Sequence, residues 1–318
     1  MKVVRSLDAI GGPPPKAVVA IGVFDGVHAG HRIIFERVVR ESAALSATPT
    51  VFTFDPHPRM VVRGARPPRI LTPLDEKLRI LDSLGIGLAV VIPFDREFAS
   101  MSAGEFVRSW LVRPFDVRRV VVGYDFRLGR DREGNGAVLG SLGSSHGFTV
   151  DQVPPFLVDG RPVKSTWVRD EIEAGNVRRA AELLRRYHSL EGRVVRGDGR
   201  GSGLGFPTAN LSLADEEKLR PRDGVYAAFA EVPGKVWPAV VNIGVRPTFG
   251  GGRAIEGHLL GFRGDLLGSP MTLHFVHRLR DERAFPSTAE LASRIERDRE
   301  QAGALLGEGD PTFAFTRF

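Results

Sequence analysis

Ala17-Val-Val-Ala-Ile-Gly-Val-Phe-Asp-Gly-Val-His-Ala-Gly-His31 changes character twice within fifteen residues. Val18, Val19, Ala20, Ile21 and Val23 make a short apolar run of the kind a strand buried on both faces needs. The chain then turns at Asp25-Gly26 and presents two histidines three residues apart, His28 and His31. Beyond Gly30 the spacing predicts a helix over 31–46, with Ile34, Val38 and Leu45 inward and Arg32, Glu36, Arg37 and Arg40 off that face. The histidines therefore fall where a strand ends and a helix begins. Free backbone N–H groups and the helix dipole attract an anion there, and a nucleotide phosphate is the first ligand this suggests.

The alternation continues outward from this stretch. Strands are expected over 17–24, 50–54, 88–92, 119–123 and 148–153. Between them run helical patterns. One opens at Thr72-Pro73, with Pro at the first helical position, and stops at Gly85. A second opens on the capping box Ser102-Ala-Gly-Glu105 and continues through Leu111, and a third covers 136–145. Nearly all-apolar strands alternating with helices imply a doubly wound parallel, Rossmann-like sheet. Ligands of such sheets bind beyond the carboxyl ends of the strands. Three strand ends carry polar groups: His28 with His31, Asp55 with His57, and Asp125 with Arg127. A helical pair follows from Lys164-Ser165-Thr166, the first member ending near Gly175, the second capped by Asn176 and running to about Tyr187.

Near His188-Ser189 the pattern becomes β. Short strands over 225–232, 237–243, 255–260 and 271–276 are parted by Gly and Pro turns, the spacing of a small antiparallel barrel or sandwich. One helix follows from about Ser287 to Ala302, with Leu291 and Ile295 inward. The tail over 304–318 has no usable pattern, and no internal repeat is present. The expected fold is α/β plus β, in two domains: 1–186, a doubly wound parallel sheet, and 187–318, an antiparallel β-barrel with a C-terminal helix.

Composition narrows the function classes. The 318 residues are 42% hydrophobic and 26% charged, with no cysteine. Disulfides, thiolate metal sites and a cysteine nucleophile are excluded, and a reducing cytoplasm is the expected location. No leader and no bilayer-length apolar run is found, so no membrane partner is expected. The net charge of +6 favours anionic ligands. The densest basic cluster, Arg178, Arg179, Arg185 and Arg186, is interrupted by Glu182 and reads as a solvated helix face. The strands of the second half lack closely spaced aromatics for base stacking, so nucleic acid is not an expected partner. Oligomeric state is not encoded in any pattern, and self-association stays open.

Each motif has more than one reading on its residues alone. His28-Ala-Gly-His31 fits a structural pair, a zinc pair lacking further ligands, or imidazoles on the phosphates of a nucleotide, with Gly30 letting the backbone approach. Ser165-Thr166 fits a helix cap or, with Arg169 one turn in, a phosphate grip. Between 197 and 205 five glycines fall in nine residues: a flexible linker, or a loop wrapping phosphates with its N–H groups. Thr208 and Asn210 are one residue apart and point to one side of an extended segment. Two neutral oxygens there suit a magnesium–nucleotide. Glu256 is a surface-facing strand carboxylate or the base that takes a proton from a hydroxyl attacking a phosphate.

Taken together and in this order, the motifs resemble the prokaryotic bifunctional riboflavin kinase/FAD synthetase family. The resemblance runs from about residue 15 to about residue 303. It rests on 22–31, Thr53-Phe-Asp-Pro-His-Pro58, Leu71-Thr72 with Glu76-Lys77, Val122-Gly-Tyr-Asp-Phe-Arg127, Ser165-Thr166 with Arg169, Leu204-Gly-Phe-Pro-Thr-Ala-Asn-Leu211, Asn242-Ile-Gly-Val-Arg-Pro-Thr-Phe249 and Arg280-Asp-Glu282. The resemblance implies that residues 1–186 join FMN to the AMP of ATP and release pyrophosphate. Gly22, Phe24, Asp25, His28, Gly30, His31, Ser165, Thr166 and Arg169 would then serve the ATP phosphates, and Asp55, His57, Asp125 and Phe126 the flavin side. It implies that residues 187–318 phosphorylate riboflavin. There Gly197, Gly201, Gly203, Gly205 and Pro207 would grip ATP, Thr208 and Asn210 would bind Mg²⁺, and Glu256 would be the base. The implied partners are small molecules: riboflavin, FMN and ATP. The chain departs from the family pattern at Lys164, usually Ser, and at Gly261 and Leu267 beside the second site.

Overall fold

The computed structural model describes residues 1–62, 68–197, 206–245 and 253–307. Its contacts divide into two compact units, one of residues 1–165 and one beginning at Thr166.

The first unit is built on six parallel strands: β1 (Lys2–Val4), β2 (Lys16–Ile21), β3 (Thr48–Asp55), β4 (Leu88–Pro93), β5 (Asp116–Gly123) and β6 (Thr149–Val153), in the order β1-β4-β3-β2-β5-β6. From β2 the chain runs to β3 and β4 on one side and then returns to lay β5 and β6 on the other. The order thus reverses between β2 and β5, and the crevice beyond their carboxyl ends is where such sheets bind ligands. Period-two alternation sends the strand residues to two faces. Val19, Ile21, Phe52, Val90 and Val120 pack with Phe106, Leu111, Phe115 and Leu139 on one. Val18, Ala20, Val51 and Val121 pack with Ile34, Phe35, Val38 and Leu81 on the other.

The helices are α1 (Ala29–Leu45), α2 (Pro58–Val61), α3 (Leu74–Ser83), α4 (Arg96–Ala99), α5 (Ala103–Phe106) and α6 (Gly136–His146). On α1 the inner face is Ile34, Phe35, Val38 and Ser42. Arg32 is buried, whereas Leu45, expected inward, is exposed. Pro73 stands just before α3 rather than in its first position. The Ser102 capping box forms in both directions, and beyond α5 the chain widens into a π turn over Val107–Val112. β1 and the hairpin of β7 (Leu157–Val158) with β8 (Arg161–Pro162) were not expected, being three residues or fewer per strand.

In the second unit α7 (Ser165–Ala174) and α8 (Val177–Leu184) precede a closed antiparallel barrel. Its strands are β9 (His188–Val195), β10 (Ala209–Leu213), β11 (Gly224–Val232), β12 (Lys235–Val245), β13 (Arg253–Leu259) and β14 (Pro270–Arg280), closing in the order β10-β13-β12-β11-β14-β9. Leu190, Leu211, Tyr226, Val241, Ile243, Ile255, Leu273 and Phe275 fill the interior, and Val177 of α8 belongs to the same cluster. That packing moves the division of contacts to 165/166, ahead of the boundary expected at 186/187. Asn176 stands at the cap position of α8, but its side chain donates to Glu171 Oε2 instead of capping. Arg186, assigned to a solvated face, is buried. The final helix α9 (Thr288–Gly307) runs beyond the expected end at Ala302, because Ala302 and Leu306 pack with Val225, Ala227 and Phe229 on the outside of the barrel. Asp298, 1% exposed, ties it to β14 through Arg280 Nε at 2.9 Å and also pairs with Arg294 Nε of its own helix at 3.1 Å.

Candidate active sites

In the first unit, β2 ends at Ile21 and α1 begins at Ala29, with His28 in extended conformation as the residue before the helix. His28 is buried and its ring stacks on that of His31, centroids 3.6 Å apart and planes 19° apart. Phe24 meets His31 edge-on at 5.2 Å. The two imidazoles are thus fixed side by side at the carboxyl end of β2, over the first turn of a seventeen-residue helix. A Cβ on Gly30 would come within 3.3 Å of the His28 ring. The glycine therefore makes room for that imidazole, a different service from the ligand approach expected of it.

Several residues expected to bind the nucleotide instead hold the loop that carries the histidines. Asp25 is buried, and its Oδ1 accepts from the backbone N–H groups of Leu71 and Thr72, both at 3.0 Å. A buried carboxylate spent on backbone donors has the wrong charge for a phosphate ligand. Phe24 is a core residue, packed against Phe35. Gly22 donates its N–H to Phe52 O at 3.1 Å. Ser165 donates its hydroxyl to Asp25 O at 2.7 Å, and a serine has one such proton to give. Thr166 is exposed and Arg169 half-buried along α7, whose buried face is Trp167, Val168 and Ile172.

At the other strand ends, Asp55 terminates β3 and lies 3.5 Å from Arg5 Nη1. His57 accepts the Arg59 N–H on Nδ1 at 3.1 Å, so its imidazole caps α2 rather than standing open toward a flavin. Asp125 follows β5 and is exposed, its Oδ2 3.1 Å from Lys164 Nζ. Phe126 is half-buried against the sheet core. Lys164 also lies 5.2 Å from the Tyr124 ring centre, and its neighbours Tyr124 and Asp125 raise its pKa above the ordinary lysine value. The cation that departs from the family pattern thus sits beside the β5 end of the crevice.

Sequence reasoning gave no role to Lys77. It is almost wholly buried on α3, and its Nζ donates to Val23 O at 2.8 Å and to Thr53 Oγ1 at 3.3 Å. Burial pushes its pKa below the usual lysine range, with Asp25 and Asp55 opposing that shift. It falls on the apolar face of α3, three residues after Leu74 and four before Leu81, so a cation in an inward position was the signal that could have found it.

In the barrel the candidate residues meet through strand register. Asn210 of β10 pairs directly with Glu256 of β13, and Glu256 pairs on its other side with Asn242 of β12. Cross-strand partners point to the same face of a sheet. Leu211, Ile255 and Ile243 face the interior, so Asn210, Glu256 and Asn242 form a polar row on the opposite, outer face. Asn210 is buried, and a Cβ on Gly197 would collide with its amide. Thr208, one residue before β10, shares the alternation of Asn210. Pro207 accepts a hydrogen bond from His258 Nδ1 at 2.8 Å, and the His258 ring meets Phe206 edge-on. Gly201, Gly203 and Gly205 lie outside the described residues. Thr208 Oγ1 and Asn210 Oδ1 beside a carboxylate are an all-oxygen set, which fits Mg²⁺ held mainly by nucleotide phosphates and water. Among the described residues no group of three or more His, Asp or Glu forms a metal-holding cluster.

Comparison with known proteins bears on both units. Residues 13–167 match the family model described as FAD synthetase, and residues 184–306 the one described as riboflavin kinase. A bifunctional riboflavin kinase/FMN adenylyltransferase of Escherichia coli is 36% identical over 98% of this chain and 100% of its own length. One from Bacillus subtilis is 34% identical over 90% of this chain and 92% of its own. A crystal structure described as a macrolide-efflux protein from Streptococcus pneumoniae has a TM-score of 0.87 at 28% identity, covering 95% of this chain and 98% of that one. Among the described residues no helix is long and apolar enough to cross a membrane.

Proposed function

Because the chain belongs to the bifunctional riboflavin kinase/FMN adenylyltransferase family, we propose how its residues divide two reactions. The enzyme phosphorylates riboflavin to FMN with ATP, then adenylylates FMN to FAD with release of pyrophosphate.

In the kinase reaction Glu256 takes the proton of the riboflavin hydroxyl as its oxygen attacks the γ-phosphorus of ATP, and ADP leaves. Thr208 and Asn210 hold Mg²⁺, which when bound neutralises charge on the phosphates. Gly197, Gly201, Gly203, Gly205 and Pro207 line the ATP. The observation that supports this is the register of Asn210 opposite Glu256: it sets an amide and a carboxylate on one face of adjacent strands.

In the adenylyl reaction an FMN phosphate oxygen bonds to the α-phosphorus, the bond to the β-phosphate oxygen breaks, and pyrophosphate leaves with the electron pair. No side chain forms a covalent bond. His28 and His31 donate to the triphosphate as charge develops on it, helped by the start of α1. Thr166 and Arg169 serve the leaving pyrophosphate. Asp55, Asp125 and Phe126 border the flavin or adenosine, while Asp25, Phe24, Gly22 and Ser165 keep the loop in shape. We assign adenylyl transfer to 1–186 and riboflavin phosphorylation to 187–318, with nucleic acid and membranes as partners of neither. The cytoplasm is the proposed location.

The test is a pair of variants in one coupled assay. Asn210→Ala stops FMN formation from riboflavin yet leaves FAD formation from supplied FMN. His28→Ala does the reverse, lowering adenylyl transfer by about 10²–10³-fold, the loss seen when one transition-state donor is removed. Loss of both activities from either change in a folded chain refutes the assignment.

A further inference from the structure

We infer that Lys77 and Asp25 are positioning residues for adenylyl transfer, setting from the start of α3 the loop that delivers His28 and His31. The inference rests on the reading of those histidines as the ATP site. The loop between β2 and α1 is built from unfavourable backbone. Phe24 has φ +49° and Val27 φ +41°, and a β-branched residue rarely adopts positive φ. Such conformations persist only where the surroundings over-determine them. Three ties do so within three residues. Lys77 Nζ donates to Val23 O, on the peptide just before Phe24. Leu71 and Thr72 N–H groups donate to Asp25 Oδ1. Ser165 donates to Asp25 O. Thr53, whose Oγ1 donates to Val23 O at 3.2 Å while accepting from Lys77, joins the end of β3 to the same carbonyl.

The segment before α3 and its first turns thus reach the loop with two kinds of donor, the Leu71 and Thr72 N–H groups on the loop's own carboxylate and the Lys77 cation on a backbone carbonyl. Packing alone does not need this chemistry. A methionine would fill the space of Lys77 without the cost of burying an ammonium group. What the lysine adds is a fixed direction for one carbonyl at the hinge of the loop. A displacement there is passed along the chain to His28 and His31, five and eight residues on. Small misplacements of positioning groups cost large factors in rate or affinity.

The experiment uses the full chain and measures adenylyl transfer with supplied FMN, riboflavin phosphorylation and thermal unfolding. Lys77→Met should raise the KM for ATP in adenylyl transfer by about tenfold, leave the KM for FMN within about twofold, and leave the kinase reaction unchanged. Thr53→Val keeps the volume but removes the bridging hydroxyl, and should raise the KM for ATP by about threefold. It decides the question if Lys77→Met does not fold. Asp25→Asn, which keeps an oxygen acceptor, should stay closer to the parent than Asp25→Ala. An ATP KM within twofold in both Lys77→Met and Thr53→Val overturns the inference. So does a parallel loss of ATP and FMN affinity tracking a lower unfolding temperature. His28→Ala separates the two levels: if it leaves adenylyl transfer intact the ATP reading fails, and if it alone impairs transfer only the positioning inference fails.

Discussion

The two candidate sites are held together by different physics. In the sheet unit the histidines sit on one contiguous stretch, and their geometry depends on side chains gripping a strained loop: Lys77 and Thr53 on Val23 O, Leu71 and Thr72 on Asp25, Ser165 on Asp25 O. In the barrel the chemistry is spread over strands far apart in sequence, and backbone pairing alone sets Asn210, Glu256 and Asn242 side by side. A loop of the first kind is adjustable but vulnerable to distant polar changes. A ladder of the second kind resists side-chain changes, because its register is shared by every pair in the strand.

The comparison can be broken most sharply at Glu256. Glu256→Gln leaves the ladder intact and should lower riboflavin phosphorylation by about 10²–10⁴-fold, the usual contribution of a general base. Adenylyl transfer measured with supplied FMN should not change. A loss in both would mean that the ladder does not isolate its chemistry. Next in size is Asp298→Ala, which leaves Arg280 and Arg294 facing a buried gap. Removing one partner of such a pair costs about 3–5 kcal/mol. Urea unfolding of the full chain should show the barrel transition lowered while the sheet transition stays in place. The smallest effect is expected at Lys164, about half exposed in its pair with Asp125. Lys164→Ser should raise the KM for FMN or ATP in adenylyl transfer by no more than about fivefold, as befits a screened surface cation. A larger rise would mark it as a direct phosphate ligand.

The same contrast governs what could be read in advance. The sheet unit was legible because both of its signals, apolar runs and helix starts, are local in sequence. The barrel strands β11 to β14 were found for the same reason, whereas β9 and β10 were read only as the onset of the β pattern near His188 and as an extended segment around Thr208 and Asn210, without bounds. His28 and His31 could be recognised from their place at a strand–helix junction. What Asp25, Ser165, Gly30 and His57 do could not, since a carboxylate that binds phosphate-side groups and one that accepts backbone N–H bonds look alike in a sequence. Lys77 and Arg186 were missed because long cationic side chains are ordinarily surface residues. Their burial follows from partners 24 or more residues away in the case of Lys77. The end of α9 was missed because Ala302 and Leu306 find their contacts on the barrel wall rather than along their own helix.

Val177 of α8 packs into the barrel core although it precedes the first barrel strand by eleven residues. Severing the chain at 186/187 would therefore strip an apolar plug from the kinase half and leave its seat open to water. The cut that keeps Val177 in its seat, at 165/166, would carry Thr166 and Arg169, proposed for the leaving pyrophosphate, away with the barrel, so neither cut parts the two activities cleanly.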